Sequence, residues 1–206
     1  MHQTKKEELW NAVTHGVGAV LSLVGLVVLL TSDNHKTEFS TLSIWMYGLS
    51  AFLLFSISTL YHSVSDAEKK IFLRKLDHIS IYFLIAGTYT PVCLIALENG
   101  SGWSMFWVVW GITAVGMILK LFFTGKFEYL SLLLYLAMGW LIIFDVQNLI
   151  ATLSRESLTL LIVGGLFYTV GVVFYAIKRI PYYHVIWHFF VLGGAISHYF
   201  MVLSLV

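Results

Sequence analysis

Polar and charged residues fall in short runs along this chain, separated by apolar stretches of about twenty residues, the length that crosses about 30 Å of hydrocarbon at about 1.5 Å per residue. The stretches lie at about 13–31, 43–64, 77–97, 103–122, 128–149, 158–178 and 183–205. Each is read as a membrane-spanning helix. The linkers, such as TSDNHKTEF, SDAEKKIFLRK and NLIATLSRES, are short, so consecutive helices should be antiparallel neighbours. The predicted fold is therefore all-α: a polytopic seven-transmembrane-helix bundle in which residues 1–206 form a single domain without internal repeats. The leading MHQTKKEELW is polar and mildly amphipathic, and no convincing cleavage site follows the first span, which is read as retained.

Composition supports this. Hydrophobic residues make up 59% of the chain and charged residues 11%, against about 25% charged in a soluble domain. Of the 12 basic residues, Lys5, Lys6, Lys69, Lys70, Arg74, Lys75, Lys120, Lys126, Lys178 and Arg179 fall on one side of the predicted bundle, and only Lys36 and Arg155 on the other. The bias predicts a cytoplasmic N-terminus and an outward C-terminus, in the plasma membrane of the cell. Cys93 is the single cysteine, which excludes an internal disulfide and any multi-cysteine metal site.

This topology gives each intramembrane polar residue a depth. His62 closes span two in SISTLYHS, with Ser58 one turn deeper on the same face. Asp77 opens span three in RKLDHISIYF, and His184 and His188 open span seven in PYYHVIWHFF, where Pro181 is placed to start the helix. Three separate segments thus bring His62, Asp77, His184 and His188 to one end of the bundle. Ionisable groups inside spans are costly and mark function by default. Imidazoles and carboxylates are zinc ligands, and an i, i+4 histidine pair can hold one ion from consecutive turns. Three imidazoles leave a fourth position for water, whose pKa a zinc ion lowers to about 7. Asp77 would take the water's proton, hold a ligand imidazole in its tautomer or join the ligand set, and Ser58 would donate to a carbonyl oxygen as it gains charge.

The remaining histidines carry weaker signals. His15, four residues after Asn11 in NAVTHG, is read as supporting or structural, with Asn11 a helix-end partner. His198 lies about 15 Å deeper than His188 by helical rise, able to line a cavity but not to share an ion. His78 points away from Asp77 and reads as interfacial; His2 and His35 carry no signal. Asp145 is expected to be a satisfied interfacial carboxylate. Pro91 should kink span three, Gly193, Gly194 and Ser197 suit close helix packing, and Trp103, Trp107, Tyr182 and Tyr183 suit an aromatic belt.

The motifs NAVTHG, SISTLYHS, LDHISIYFLIAGTYTP and HVIWH followed by SHYF, in this order, resemble the hemolysin III family, the bacterial branch of the progestin and adipoQ receptor superfamily. The resemblance covers nearly the whole chain. It implies a seven-helix bundle with a cytoplasmic N-terminus and a zinc ion near the cytoplasmic face held by His62, His184 and His188. Asp77 would contact the metal-bound water, with Ser58 close by. Relatives with ceramidase-like activity imply a membrane lipid substrate cleaved at an amide or ester bond. The long N-terminal extension of the receptor members does not precede span one, so hormone recognition does not carry over. Two other functions are compatible with the residues: a regulator or sensor of membrane lipid state in which zinc only clamps helices, and a cytolysin. Spans that are apolar all round, without a polar stripe, argue against a pore.

Overall fold

The structure, a computed structural model, describes residues 3–206; His2 lies outside them. Eight α-helices are present among the described residues: α1 (Lys5–Thr31), α2 (Ser40–Ser63), α3 (Ala67–Pro91), α4 (Gly102–Phe123), α5 (Glu128–Gly139), α6 (Val146–Thr152), α7 (Arg155–Ala176) and α8 (Tyr183–Leu203). With α5 and α6 taken together as Glu128–Thr152, seven helical segments are long and apolar enough to cross a membrane. The outward surface carries Leu21, Val24, Ile118, Phe122, Ile162 and Leu166 exposed, the reverse of a soluble protein and what contact with lipid requires.

The chain winds so that α1 packs between α2 and α8, α8 packs on α7, and α3 packs against α2 and α4. The α3 span, most of it buried, is the central element. With no hydrophobic drive between helices inside lipid, close approach depends on small residues. A Cβ on Gly87 would meet the Ser50 side chain of α2, and one on Gly164 would meet the His198 ring at 2.3 Å. Gly193 and Gly194 face Phe167 and Tyr168 of α7 as expected, whereas Ser197 donates back to the Gly193 carbonyl of its own helix at 2.9 Å.

Several boundaries differ from the sequence reading. The polar lead-in is helical from Lys5, because Thr4 and Glu7 form a capping box: the Thr4 hydroxyl accepts from the Glu7 amide at 3.2 Å while the Glu7 carboxylate accepts from the Thr4 amide at 2.7 Å. Likewise α3 begins at Ala67, not Asp77, with the Asp66 carboxylate capping the Lys69 amide at 2.9 Å. Asp77 thus sits well inside a helix. Half of the presumed linker NLIATLSRES belongs to α6, and its last three residues open α7. Span five is broken by a 3₁₀ segment, Leu141–Asp145, whose Ile142 amide is satisfied by the Tyr89 hydroxyl at 2.9 Å. Pro181 precedes α8 by two residues, and Tyr182 caps it in the left-handed region (φ 57°).

At Pro91 the helix relaxes into wider π-type turns through Ala96, with the Leu97 amide reaching the Val92 carbonyl at 3.0 Å. The Thr37 hydroxyl takes up the Leu94 carbonyl at 2.9 Å. Asp145 accepts from Ser101 and from Asn148, so it is satisfied as expected.

Candidate metal centre

The antiparallel winding brings the last turn of α2 and the first turns of α8 to the same end of the bundle. His62 is buried there, His188 is fully buried, and His184 is half-buried one turn above His188. Ring centroids are 5.0 Å apart for His62 and His184, 5.0 Å for His62 and His188, and 4.8 Å for His184 and His188. One nitrogen from each ring can be chosen so that all lie within 4.8 Å of one another. The cluster can hold a metal ion, and neutral imidazoles at this spacing suit a borderline-soft divalent cation.

The neighbours of these rings determine which nitrogens are free. His62 Nδ1 lies 2.7 Å from Glu8 Oε2, and Glu8 Oε1 lies 2.8 Å from Lys70 Nζ. A carboxylate held by a lysine accepts, so Nδ1 carries the proton and Nε2 keeps its lone pair. That Nε2 is buried with no hydrogen-bond partner among the described residues, a vacancy in the hydrogen-bond accounting that a bound cation would fill. His188 Nδ1 lies 3.2 Å from the Asn11 carbonyl, an obligate acceptor, and 3.2 Å from the Thr14 hydroxyl. Its proton is thereby placed on Nδ1 and its Nε2 is left to bind. Pairing a ligand imidazole through its second nitrogen to a carboxylate or carbonyl is the usual support of a metal site.

His15 stacks on His188, with centroids 3.5 Å apart and planes at 6°, and meets Phe55 edge-on. Both of its ring nitrogens are buried without partners among the described residues. It packs against the face of the His188 ring and not against Asn11, whose amide instead donates to Gln3 at 2.9 Å.

Asp77 and Ser58 line one cavity with His15, His184 and His188. Its volume of about 50 Å³ exceeds what a single buried water needs. Ser58 is buried, and Asp77, half-buried, lines the cavity beside it. Asp77 therefore lines the same cavity as His184 and His188 while standing outside the nitrogen cluster that these two form with His62. His78, read as interfacial, lies in the wall of this cavity, because α3 is buried on several sides here. Leu54, Ile81, Tyr135, Trp187 and Val191 are shared with a second, apolar cavity of about 410 Å³ between α3, α5–α6, α7 and α8. Its size falls within the range of small-molecule sites, and His198 lines its deeper part as anticipated.

Sequence reasoning missed Glu8 and Thr14. Glu8 became visible only once the lead-in was helical, since Glu8, Asn11 and His15 then fall on one face at i, i+3 and i+7, whereas Thr14 lies inside the predicted span and only the packing of α8 brings it to His188. The T-x-x-E signature at Thr4 was the available signal.

A seven-helix membrane bundle with a buried three-histidine cluster defines the class of this protein. The sequence model of the family described as Haemolysin-III related matches residues 3–199. Hemolysin-3 of Bacillus cereus is 42% identical over 204 residues, covering 98% of this chain and 93% of that protein. The Hemolysin-3 homolog of Bacillus subtilis (strain 168) is 44% identical over 201 residues, covering 97% and 94%. The human monocyte to macrophage differentiation factor is 32% identical over 207 residues, covering 95% and 83%. The chain belongs to the hemolysin III family.

Proposed function

We propose that this protein is a zinc-dependent membrane hydrolase that cleaves an amide or ester bond of a lipid, in the plasma membrane, with its site toward the cytoplasm. The observation that carries the reading is that two of the three clustered imidazoles, His184 and His188, line a small cavity together with Asp77 and Ser58, and that this cavity shares a wall with an apolar chamber of about 410 Å³. A closed structural site would be completed by a fourth protein ligand; here the fourth side is a cavity with room for water.

His62, His184 and His188 would hold the ion. Zinc at such a site supplies a Lewis acid and lowers the pKa of water. Asp77 is placed to accept a proton from water in the small cavity and to pass it to the departing group. Ser58, buried one turn below His62, donates to the carbonyl oxygen as charge builds there. The apolar chamber takes an acyl chain and excludes bulk water, which strengthens both contacts. The basic residues gathered at this end of the bundle support a cytoplasmic placement.

The test is metal analysis of the purified protein, followed by incubation of the zinc-loaded form with a panel of acyl lipids read by mass spectrometry. Release of a fatty acid that stops on chelation is expected. Absence of metal, or turnover indifferent to chelation, would sink the reading.

A further inference from the structure

Lys120 stands in the last turn of α4 and is only 3% exposed. A lysine at the end of a span ordinarily extends its stem outward to water, and its sequence position suggests that role. Its side chain turns inward instead and lines the cavity that holds Asp77, His184 and His188. Among the described residues its ammonium has neither an ion pair nor a hydrogen bond. Glu128, in the same cavity wall, is engaged by Arg74 and, at 3.4 Å, by Lys178. The Tyr135 ring centroid is 6.0 Å from Lys120 Nζ, at the outer limit of a cation–π contact.

Asp77 and Glu128 line the same cavity, but among the described residues neither carboxylate forms an ion pair with Lys120; a buried cation without a direct partner is costly, and such groups persist where they meet a ligand. Tyr175, Ser131 and His78 line the same cavity and add polar groups to its wall. The apolar chamber begins at Tyr135, which borders both spaces. An occupant that satisfies both has an anionic end beside Lys120 and a hydrocarbon chain beyond Tyr135.

We propose that Lys120 binds the anionic group, phosphate or carboxylate, of an acyl lipid, and so selects anionic over neutral amphiphiles. The proposal deepens the lipid-hydrolase reading and rests on it. An anionic headgroup on the substrate and the carboxylate of a released fatty acid share this chemistry, and direct binding separates them.

The test titrates four probes into detergent-solubilised full-length protein: lysophosphatidic acid, the free fatty acid and the monoacylglycerol of the same chain length, and inorganic phosphate. At least one lipid anion should bind about 10- to 100-fold more tightly than the neutral monoacylglycerol, the range for a hydrogen bond to a charged group. Which anion is preferred identifies the source. Lys120→Met should abolish the preference, and Lys120→Arg should retain part of it. Equal binding of neutral and anionic amphiphiles by the native protein would overturn the assignment. So would a preference that Lys120→Met keeps, or inorganic phosphate binding as tightly as lysophosphatidic acid. If Lys120→Met does not fold, the native preference and the Arg variant carry the test. These are binding readouts, so a protein that binds lipid anions but turns none over refutes the hydrolase reading and leaves the Lys120 result standing.

Discussion

The Nδ1 of His62 and the carboxylate of Glu8 lie 2.7 Å apart, joining α2 to the first turns of α1, and Glu8 is held from its other side by Lys70 of α3. One carboxylate thus links three helices and orients an imidazole whose opposite nitrogen is free.

Glu8→Ala should therefore weaken metal binding about 10- to 100-fold, the usual loss when the outer partner of a ligand histidine is removed. Glu8→Gln, which keeps an acceptor but not the charge, should fall between the two. Competition against a chelator of known affinity measures both. Unchanged affinity in the alanine variant would show that the ion pair serves packing alone.

His188→Ala and His62→Ala should each leave the purified protein with little bound zinc while far-ultraviolet circular dichroism stays helical. His198→Ala should retain full zinc stoichiometry, because His198 lines the apolar chamber away from the cluster. Elemental analysis of the three proteins separates these outcomes.

Asp77→Asn should keep zinc, since its carboxylate stands outside the three-nitrogen cluster, yet lower turnover of a responsive lipid by about 10²- to 10⁴-fold, as expected for loss of a general base. Ser58→Ala should lower turnover by about 10²- to 10³-fold, with metal again retained, if its hydroxyl is an oxyanion donor. Loss of zinc from Asp77→Asn would instead make the carboxylate a ligand.

Gly164→Ala would drive a methyl group to 2.3 Å from the His198 ring, which is held by its Nε2 bond to the Leu161 carbonyl at 3.2 Å. Overpacking of this kind costs about 1–3 kcal/mol. A lower melting temperature in detergent is expected, whereas Gly111→Ala, where a Cβ meets nothing within 4 Å, should leave it nearly unchanged.

Pure protein in liposomes should leave an entrapped dye in place, because the outer faces of the helices are apolar and the polar residues of the site converge inside the bundle at one end of it. Steady leakage on reconstitution would favour the cytolytic reading that the names of the Bacillus relatives carry.

Much was legible in the chain itself. Apolar stretches of bilayer length determine seven spans, because each must satisfy its backbone internally as helix. The histidine spacing in HVIWH places two imidazoles on one helical face, and antiparallel winding brings them level with His62. Pro91, lacking an amide hydrogen, determines where the third span departs from regular α-helix, although the relief as π-type turns and the Thr37 partner needed the neighbouring loop. The polar helix extensions at the starts of α1 and α3 were hidden because hydropathy detects only the part of a helix that contacts lipid, while capping by Thr4 and Asp66 determines where each begins.

The tertiary structure alone decided the surroundings of the site. Which face of α1 turns inward determines that Glu8, Thr14 and His15 meet His62 and His188, and no local pattern encodes a contact between residues 8 and 62. The inward turn of Lys120 was equally invisible, since a lysine at a span end has the same sequence signature whether it reaches for water or for a cavity. Periodicity reports which residues share a helix face; only the packing of the other helices determines what that face meets.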